Sequence, residues 1–370
     1  MGYAPPPSSA GRDRLDRLRL IRSRRVGPAT FRRLLAQHGS AAAALEALPD
    51  IAAQAGVQKY QICPEDVALA EMKAAKRAGA DMICLGDAAY PSELAELSQA
   101  PPILWALGDT GLLQKPMISM VGTRNASSLG TRMTVKLAEG LGKSGYVLVS
   151  GLARGIDTIA HEASLTTGTI AVQAGGLDIM YPAENAGLAD KIAKSGLRLS
   201  EQPFGLEPQA RHFPLRNRIV AGLGQAVVVV EAAARSGSLI TARAALDLGR
   251  DVLAVPGHPL DARASGCNML IRDGATLVRS GDDILEALSP IAPIIEAPPD
   301  PELPLENAAA PPGMDVQSAI LAQLGPSPET EDQIIRAVGA PASDVAAALA
   351  HLELEGQIER RPGGLLARTS

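Results

Sequence analysis

The segment Ser150 to His161, SGLARGIDTIAH, follows the apolar run YVLVS and sets Gly151, Arg154, Gly155 and Asp157 within one turn. A strand that runs into a glycine-spaced turn and then a helical pattern is a common phosphate cradle, because amide groups at the helix start face the anion unobstructed. Similar small, polar segments recur. VGTRNAS carries Gly122, Thr123 and Arg124; AGGLDIMYPAEN follows another strand-like run; EAAARSGSLITA carries Ser236, Gly237 and Ser238. RHFPLRNR crowds Arg211, Phe213, Arg216, Asn217 and Arg218 before an apolar run. Such charges need partners, which a phosphate backbone supplies, and a base stacked on Phe213 gains about 1–3 kcal/mol. The alternative makes Phe213 core and pairs Arg216 and Arg218 with Asp157, Glu231 or other local acids. Asp157 reads as a helix-start hydrogen-bond acceptor able to hold a neighbouring arginine, and His161 as a packed residue one turn on.

Other chemistries find less support. Gly142-Lys143-Ser144 lacks the glycine of a phosphate-binding P-loop, since Leu137 stands at that position, and it ends a helical pattern instead of following a strand. No HExxH, GxSxG or Cys/His nucleophile pattern occurs, and His38, His161, His212, His258 and His351 are scattered. The three cysteines, Cys63, Cys84 and Cys267, have no ligand or disulfide spacing, so reduced structural thiols are expected, with no metal and no cofactor.

The elements that would position these loops read as a parallel α/β domain. Near-continuous apolar runs (MISMVG, YVLVSG, TIAVQAGG, LRLSE, AVVVVEA, DVLAVPG, TLVRS) alternate with helical patterns near 129–143, 157–166, 184–194 and 239–248. Strands that are apolar throughout are covered on both faces, which gives a Rossmann-like, doubly wound, mostly parallel sheet. Its post-strand loops lie along one rim, where distant segments converge. Five domain spans are expected: a tail at 1–11, a helical helix-hairpin-helix or sterile-alpha-motif-like domain at 12–80, the Rossmann-like domain at 81–288, a Pro-rich linker at 289–313, and a winged-helix-like domain at 314–370.

In the first helical domain, Arg22, Arg24, Arg25, Arg32 and Arg33 flank the Gly27-Pro28 turn. They read either as a phosphate-contacting hairpin or as a solvated basic face. In the last domain, the helix PASDVAAALAHLELEG has no Lys or Arg, so groove binding would meet phosphate repulsion. That domain reads as a protein-contact or regulatory module.

A chain of 370 residues exceeds the usual single-domain size. Its 35 Lys and Arg against 40 Asp and Glu argue that any nucleic-acid site is a focused patch. Only 2% of residues are aromatic, so stacking positions are scarce. No apolar run is long enough to cross a bilayer, which predicts a cytoplasmic protein with no membrane partner.

The blocks VGTRNASSLG, SGLARGIDTIAH, GGLDIMYPAENAGL, SEQPFGLEPQARHFPLRNRIVAG, VVVVEAAARSGSLITARAAL and AVPGHPLDARASGCNMLI, in this order, resemble the signature of the DNA-processing protein A family (DprA, also called Smf). The resemblance implies a homodimer through the Rossmann-like core. It also implies non-sequence-specific binding of single-stranded DNA, its protection, and loading of the RecA recombinase during natural transformation and recombination, without catalysis. Carried over by position, the DNA-binding set would use Arg124, Phe213 and Arg216, with Gly122, Gly155, Asn217 and Ser236 to Ser238 shaping the backbone site. Many relatives have lysine where this chain has Ala210, a departure for which Arg211 next to it offers a substitute. The rival is a nucleotide-binding protein or an enzyme like the nucleoside-monophosphate phosphoribohydrolases, which use the same rim. AVPGHP and EAAARSGSLITA lack the glutamate of their PGGxGTxxE loop.

Overall fold

The computed structural model describes residues 11–289, 315–324, 328–361 and 364–369. It divides into two compact units, Met1–Ser289 and Pro290–Ser370. The expected Pro/Ser-rich tail, except Gly11, and the Pro-rich linker, except Ser289, lie outside the described residues.

The first unit begins with four helices, α1 (Gly11–Arg22), α2 (Pro28–His38), α3 (Ala41–Gln54) and α4 (Glu65–Ala78). The turn before α2 puts Pro28 at the first helical position, where its missing amide leaves no bond unmade, and Gly39 closes the helix in the left-handed conformation. Leu20, Phe31, Leu34 and Leu45 form a small apolar core of their own. Leu15 and Leu18 instead pack with Trp105 of the adjoining sheet.

That sheet has nine strands: β1 (Asp81–Cys84), β2 (Ile103–Gly108), β3 (Met117–Val121), β4 (Val147–Ser150), β5 (Thr169–Val172), β6 (Leu197–Ser200), β7 (Ala226–Val229), β8 (Asp251–Ala254) and β9 (Thr276–Leu277). Their spatial order is β1-β2-β6-β5-β4-β3-β7-β8-β9. From β6 to β9 every pairing is parallel, and β1 and β2 add an antiparallel edge. The apolar runs read as parallel strands are all present; β1 and β2, flanked by glycine and proline, are additions to that reading.

Interleaved helices are α5 (Ser92–Ala95), α6 (Ser128–Lys143), α7 (Ile156–Ser164), α8 (Ala186–Ser195), α9 (His212–Leu223), α10 (Ser238–Asp247), α11 (Ser265–Arg272) and α12 (Gly281–Leu288). Strand alternation sends Val147, Val149, Val227 and Val229 to a core shared with α9, α10 and α11. Leu148 and Val228 pack on the opposite face with α6, α7 and α12. The sheet grows from β3 through β6, then restarts at β7 on the other side of β3. This reversal of strand order places a crevice outside the carboxyl ends of β3 and β7, the usual ligand position in doubly wound sheets.

The second unit consists of α13 (Val316–Gln323), β10 (Glu329–Thr330), α14 (Glu331–Val338), α15 (Ala342–Leu354), β11 (Ile358–Arg361) and β12 (Leu365–Arg368), with a three-stranded antiparallel sheet ordered β10-β12-β11. Ile334, Leu349, Leu352 and Leu366 close its core.

Candidate functional site

The crevice at the strand-order reversal is a cleft of about 690 Å³, bounded by the loops after β3, β4 and β7 and by the starts of α9 and α10. It brings together Gly122, Thr123, Arg124, Gly151, Phe213, Arg216, Asn217, Ser236, Gly237 and Ser238. Arg154 lines a pocket that shares Arg124, Gly151, Phe213 and Arg216 with the cleft, and Gly155 lines a shallower hollow beside it. Arg211 and Arg218 are not among the cleft residues.

The block that supplies Phe213 and its neighbours is a helix, and helical rotation sorts it. Phe213, Arg216, Asn217 and Val220 stand at i, i+3, i+4 and i+7 and all line the cleft. Arg218, about 200° around from Arg216, leaves that face. Its guanidinium instead donates to the Glu201 carboxylate and the Gln99 carbonyl. Arg211 precedes the helix, is exposed, and directs its Nε at His212 Nε2, 3.3 Å away. Arg154, also exposed, forms a 2.6 Å ion pair with Glu184 on the surface.

Arg216 enters the cleft from behind. It is 6% exposed, its Nη1 donates to the Val172 carbonyl at 3.0 Å, and its Nε has no hydrogen-bond partner. Burial pulls its pKa down, against the raising field of Asp157. Burial pushes the Asp157 carboxyl up, against Arg216 and its own amide donors. Those donors, Gly151 N (3.2 Å) and Ala153 N (3.3 Å), are the amides that the sequence offers to a phosphate. The SGLARG turn therefore cradles a carboxylate of its own chain. Gly151 is glycine because a Cβ there would collide with the Arg216 guanidinium; Gly155, at φ +73°, would strike the backbone of Thr123 and Arg124.

His161 is fully buried and is not poised for proton transfer. The Leu152 amide donates to Nε2 (3.3 Å), which leaves the proton on Nδ1, facing Thr169 Oγ1 at 2.7 Å. Burial, helped by the Arg216 charge, pushes its pKa down to about 3.

The open side of the cleft is built differently. The Arg124 guanidinium lies 5.8 Å from the Phe213 ring centroid, a cation–π arrangement. Tyr181 meets Phe213 at 5.6 Å with planes tilted by 60° and is 51% exposed. Across the cleft, Arg235 is exposed beside Ser236 and Ser238, whose hydroxyls share a 2.6 Å hydrogen bond at the start of α10. Sequence reasoning passed over Tyr181 and Arg235. Both stand inside loops it singled out, and an arginine directly before a run of small residues at a helix start was the available signal. Ala210 also lines the cleft and contributes only a methyl group.

Among the described residues no helix is long and apolar enough to cross a membrane. The DNA recombination-mediator protein A family matches residues 81–289, a DprA-like N-terminal helix-hairpin-helix domain matches 11–74, and a DprA winged helix domain matches 304–364. The chain is 48% identical over 201 residues to the DNA processing protein DprA of Streptococcus pneumoniae, covering 54% of this chain and 71% of that one. It is 38% identical over 281 residues to the protein Smf of Escherichia coli, covering 74% of each. The X-ray structure of DprA from Streptococcus pneumoniae superposes with TM-score 0.59 at 37% identity, over 71% of this chain and 98% of that one. A structure of DNA processing protein A from Helicobacter pylori, described for its single-stranded DNA binding mode, gives TM-score 0.53 at 31% identity, over 56% of this chain and 95% of that one. The matched core contains every loop that forms the cleft, and with both flanking domains matched as well, this chain belongs to the DNA recombination-mediator protein A family.

Proposed function

We propose that the cleft binds single-stranded DNA without reading its sequence and that the protein then presents the strand to a RecA-type recombinase. The observation that carries the reading is the pairing of Arg124 with Phe213 on one wall, with Tyr181 against Phe213 in the adjoining pocket, and of Arg235 with Ser236–Ser238 on the other wall. Arg124 and Arg235 form no ion pair with acids of this chain among the described residues. A cationic groove with a stacking surface suits a strand whose bases are free, because every base has a face to stack. The Helicobacter pylori relative, described as binding single-stranded DNA, supports the same ligand.

Arg124, Phe213, Asn217, Arg235 and Ser236 to Ser238 contact the strand; Gly122, Thr123, Gly151 and Gly155 shape the wall, and Arg216 holds it from behind. Protection of the strand and homodimerisation through the Rossmann-like domain belong to the same proposal. No bond-making step is included, since Asp157 and His161, the titratable groups packed behind the cleft, are committed to amides and a hydroxyl of the scaffold.

The test is fluorescence anisotropy with labelled oligothymidylate, a duplex of equal length and a labelled mononucleotide. Tight binding of the oligothymidylate alone supports the reading. Equal affinity for the duplex, or binding confined to the mononucleotide, overturns it.

A further inference from the structure

We infer that Glu231 and Asp157 are built-in anions that fill two of the three helix-start cradles of this rim and thereby make it select a strand over a free nucleotide. The inference rests on the strand-binding reading above and adds the residues that set its selectivity.

In doubly wound sheets a nucleotide places its phosphates against the amides that open the first helices at the strand-order reversal. Here the turns after β3 and β4 are taken, while the α10 start, after β7 on the other side of the reversal, stays open. At the start of α6, the buried Glu231 accepts from the Ser127 amide through Oε2 (2.9 Å), while Oε1 lies 3.7 Å from Arg263. Gly130, in the first turn of α6, has no room for a side chain because the Glu231 carboxylate occupies the space. Ahead of α7, the buried Asp157 takes the amides of Gly151 and Ala153. A diphosphate entering either position must displace a carboxylate from the amides it holds and from the cation beside it, Arg263 or Arg216, in a partly desolvated site where such interactions are stronger than in water.

The start of α10 differs. Its first turn contains no acid, Gly237 faces open space, and Arg235 stands exposed beside it. A free nucleotide concentrates its charge in one diphosphate group, which a single helix start with one arginine neutralises less completely than the single charge of a strand phosphate. A strand spreads single charges along the groove, so it can use the α10 start and the Arg124 wall while passing both carboxylates at a distance.

The test is isothermal titration of the full chain with oligothymidylate, ADP and pyrophosphate, comparing wild type with Glu231→Gln and the Asp157→Asn/Glu231→Gln double variant, each checked for folding by circular dichroism. Wild type should bind the oligothymidylate and bind ADP and pyrophosphate far more weakly. In the variants the strand-to-ADP affinity ratio should fall by about tenfold or more. An unchanged ratio in folded Glu231→Gln overturns the inference. So does wild-type protein in which ADP rivals the strand, a result that requires no variant to fold. If wild type fails to bind oligothymidylate at all, the strand reading itself fails, and the two failures are thus distinguishable.

Discussion

The amino-terminal hairpin and the cleft are both arginine-rich, and in sequence both look like anion sites. In the hairpin, Arg22 and Arg32 turn inward to the protein. Arg22 pairs with Glu71 at 2.8 Å, and the same carboxylate oxygen accepts from Trp105 Nε1 at 2.8 Å; Arg32 donates to the carbonyls of Leu97 and Ala95. These bonds fasten the helical domain to the sheet domain, while Arg24, Arg25 and Arg33 remain on the exposed face. In the cleft, Arg124 and Arg235 face an opening in which the nearby acids already serve backbone amides. Arg24, Arg25 and Arg33 also pair with no acid among the described residues, so what sets the cleft apart is the ring surface and the small-residue helix start beside its arginines.

Mutations can break or sharpen that contrast. The largest effect is expected from Arg216→Ala, because Arg216 belongs to the cleft by position and to the scaffold by burial. Its loss leaves Asp157 buried without a cation and should lower unfolding free energy by about 3 kcal/mol, read by urea denaturation, with strand affinity falling as well. Stability equal to wild type would return Arg216 to the class of simple surface contacts.

Arg22→Ala should lower stability by roughly 2 kcal/mol, since Glu71 keeps Trp105 as a donor and loses its ion pair. Strand affinity should stay unchanged in the same preparation. A fall in affinity with unaltered stability would make the hairpin part of the binding surface.

The scaffold behind the cleft should also show itself in pH. His161 stays neutral in the fold down to about pH 3, whereas the unfolded chain takes up a proton near 6.5. The stability this group contributes is complete above pH 6.5 and is lost as pH falls towards 3, amounting to about 2 kcal/mol by pH 5. Thermal unfolding across this range should show a shallower acid loss in His161→Gln, and an identical slope would remove His161 as its source.

Phe213→Ala should weaken strand binding by about 1–2 kcal/mol, in the lower part of the range for one stacked base. Anisotropy titration of the folded variant gives the readout. If stability falls and affinity does not, the ring is core and Arg124 packs on it for structural reasons alone.

The parallel sheet was legible because strands buried on both faces leave uninterrupted apolar runs, and the rim followed from their order. The α9 helix was harder to see, as HFPLRNRIVAGL mixes proline and charges with apolar residues and is buried around much of its circumference. Without that helix, Arg216 and Arg218 look like neighbours in one site; its rotation sends one behind the cleft and the other to Glu201. Asp157 and His161 were read correctly as scaffold. The glycines were more ambiguous, because a glycine admits a ligand or a side chain of the same protein equally well. At Gly151 and Gly130 it admits Arg216 and Glu231, and only three-dimensional packing distinguishes the cases.

The most direct test of the central claim is the salt dependence of oligothymidylate binding in Arg124→Ala, Arg235→Ala, Arg24→Ala and Arg33→Ala. Each phosphate contact on a single strand contributes about 0.7 to the slope of log affinity against log salt. The slope should therefore drop by about that amount for Arg124→Ala and for Arg235→Ala and keep its wild-type value for the two hairpin variants. A slope lost at the hairpin and retained at the cleft would contradict the assignment.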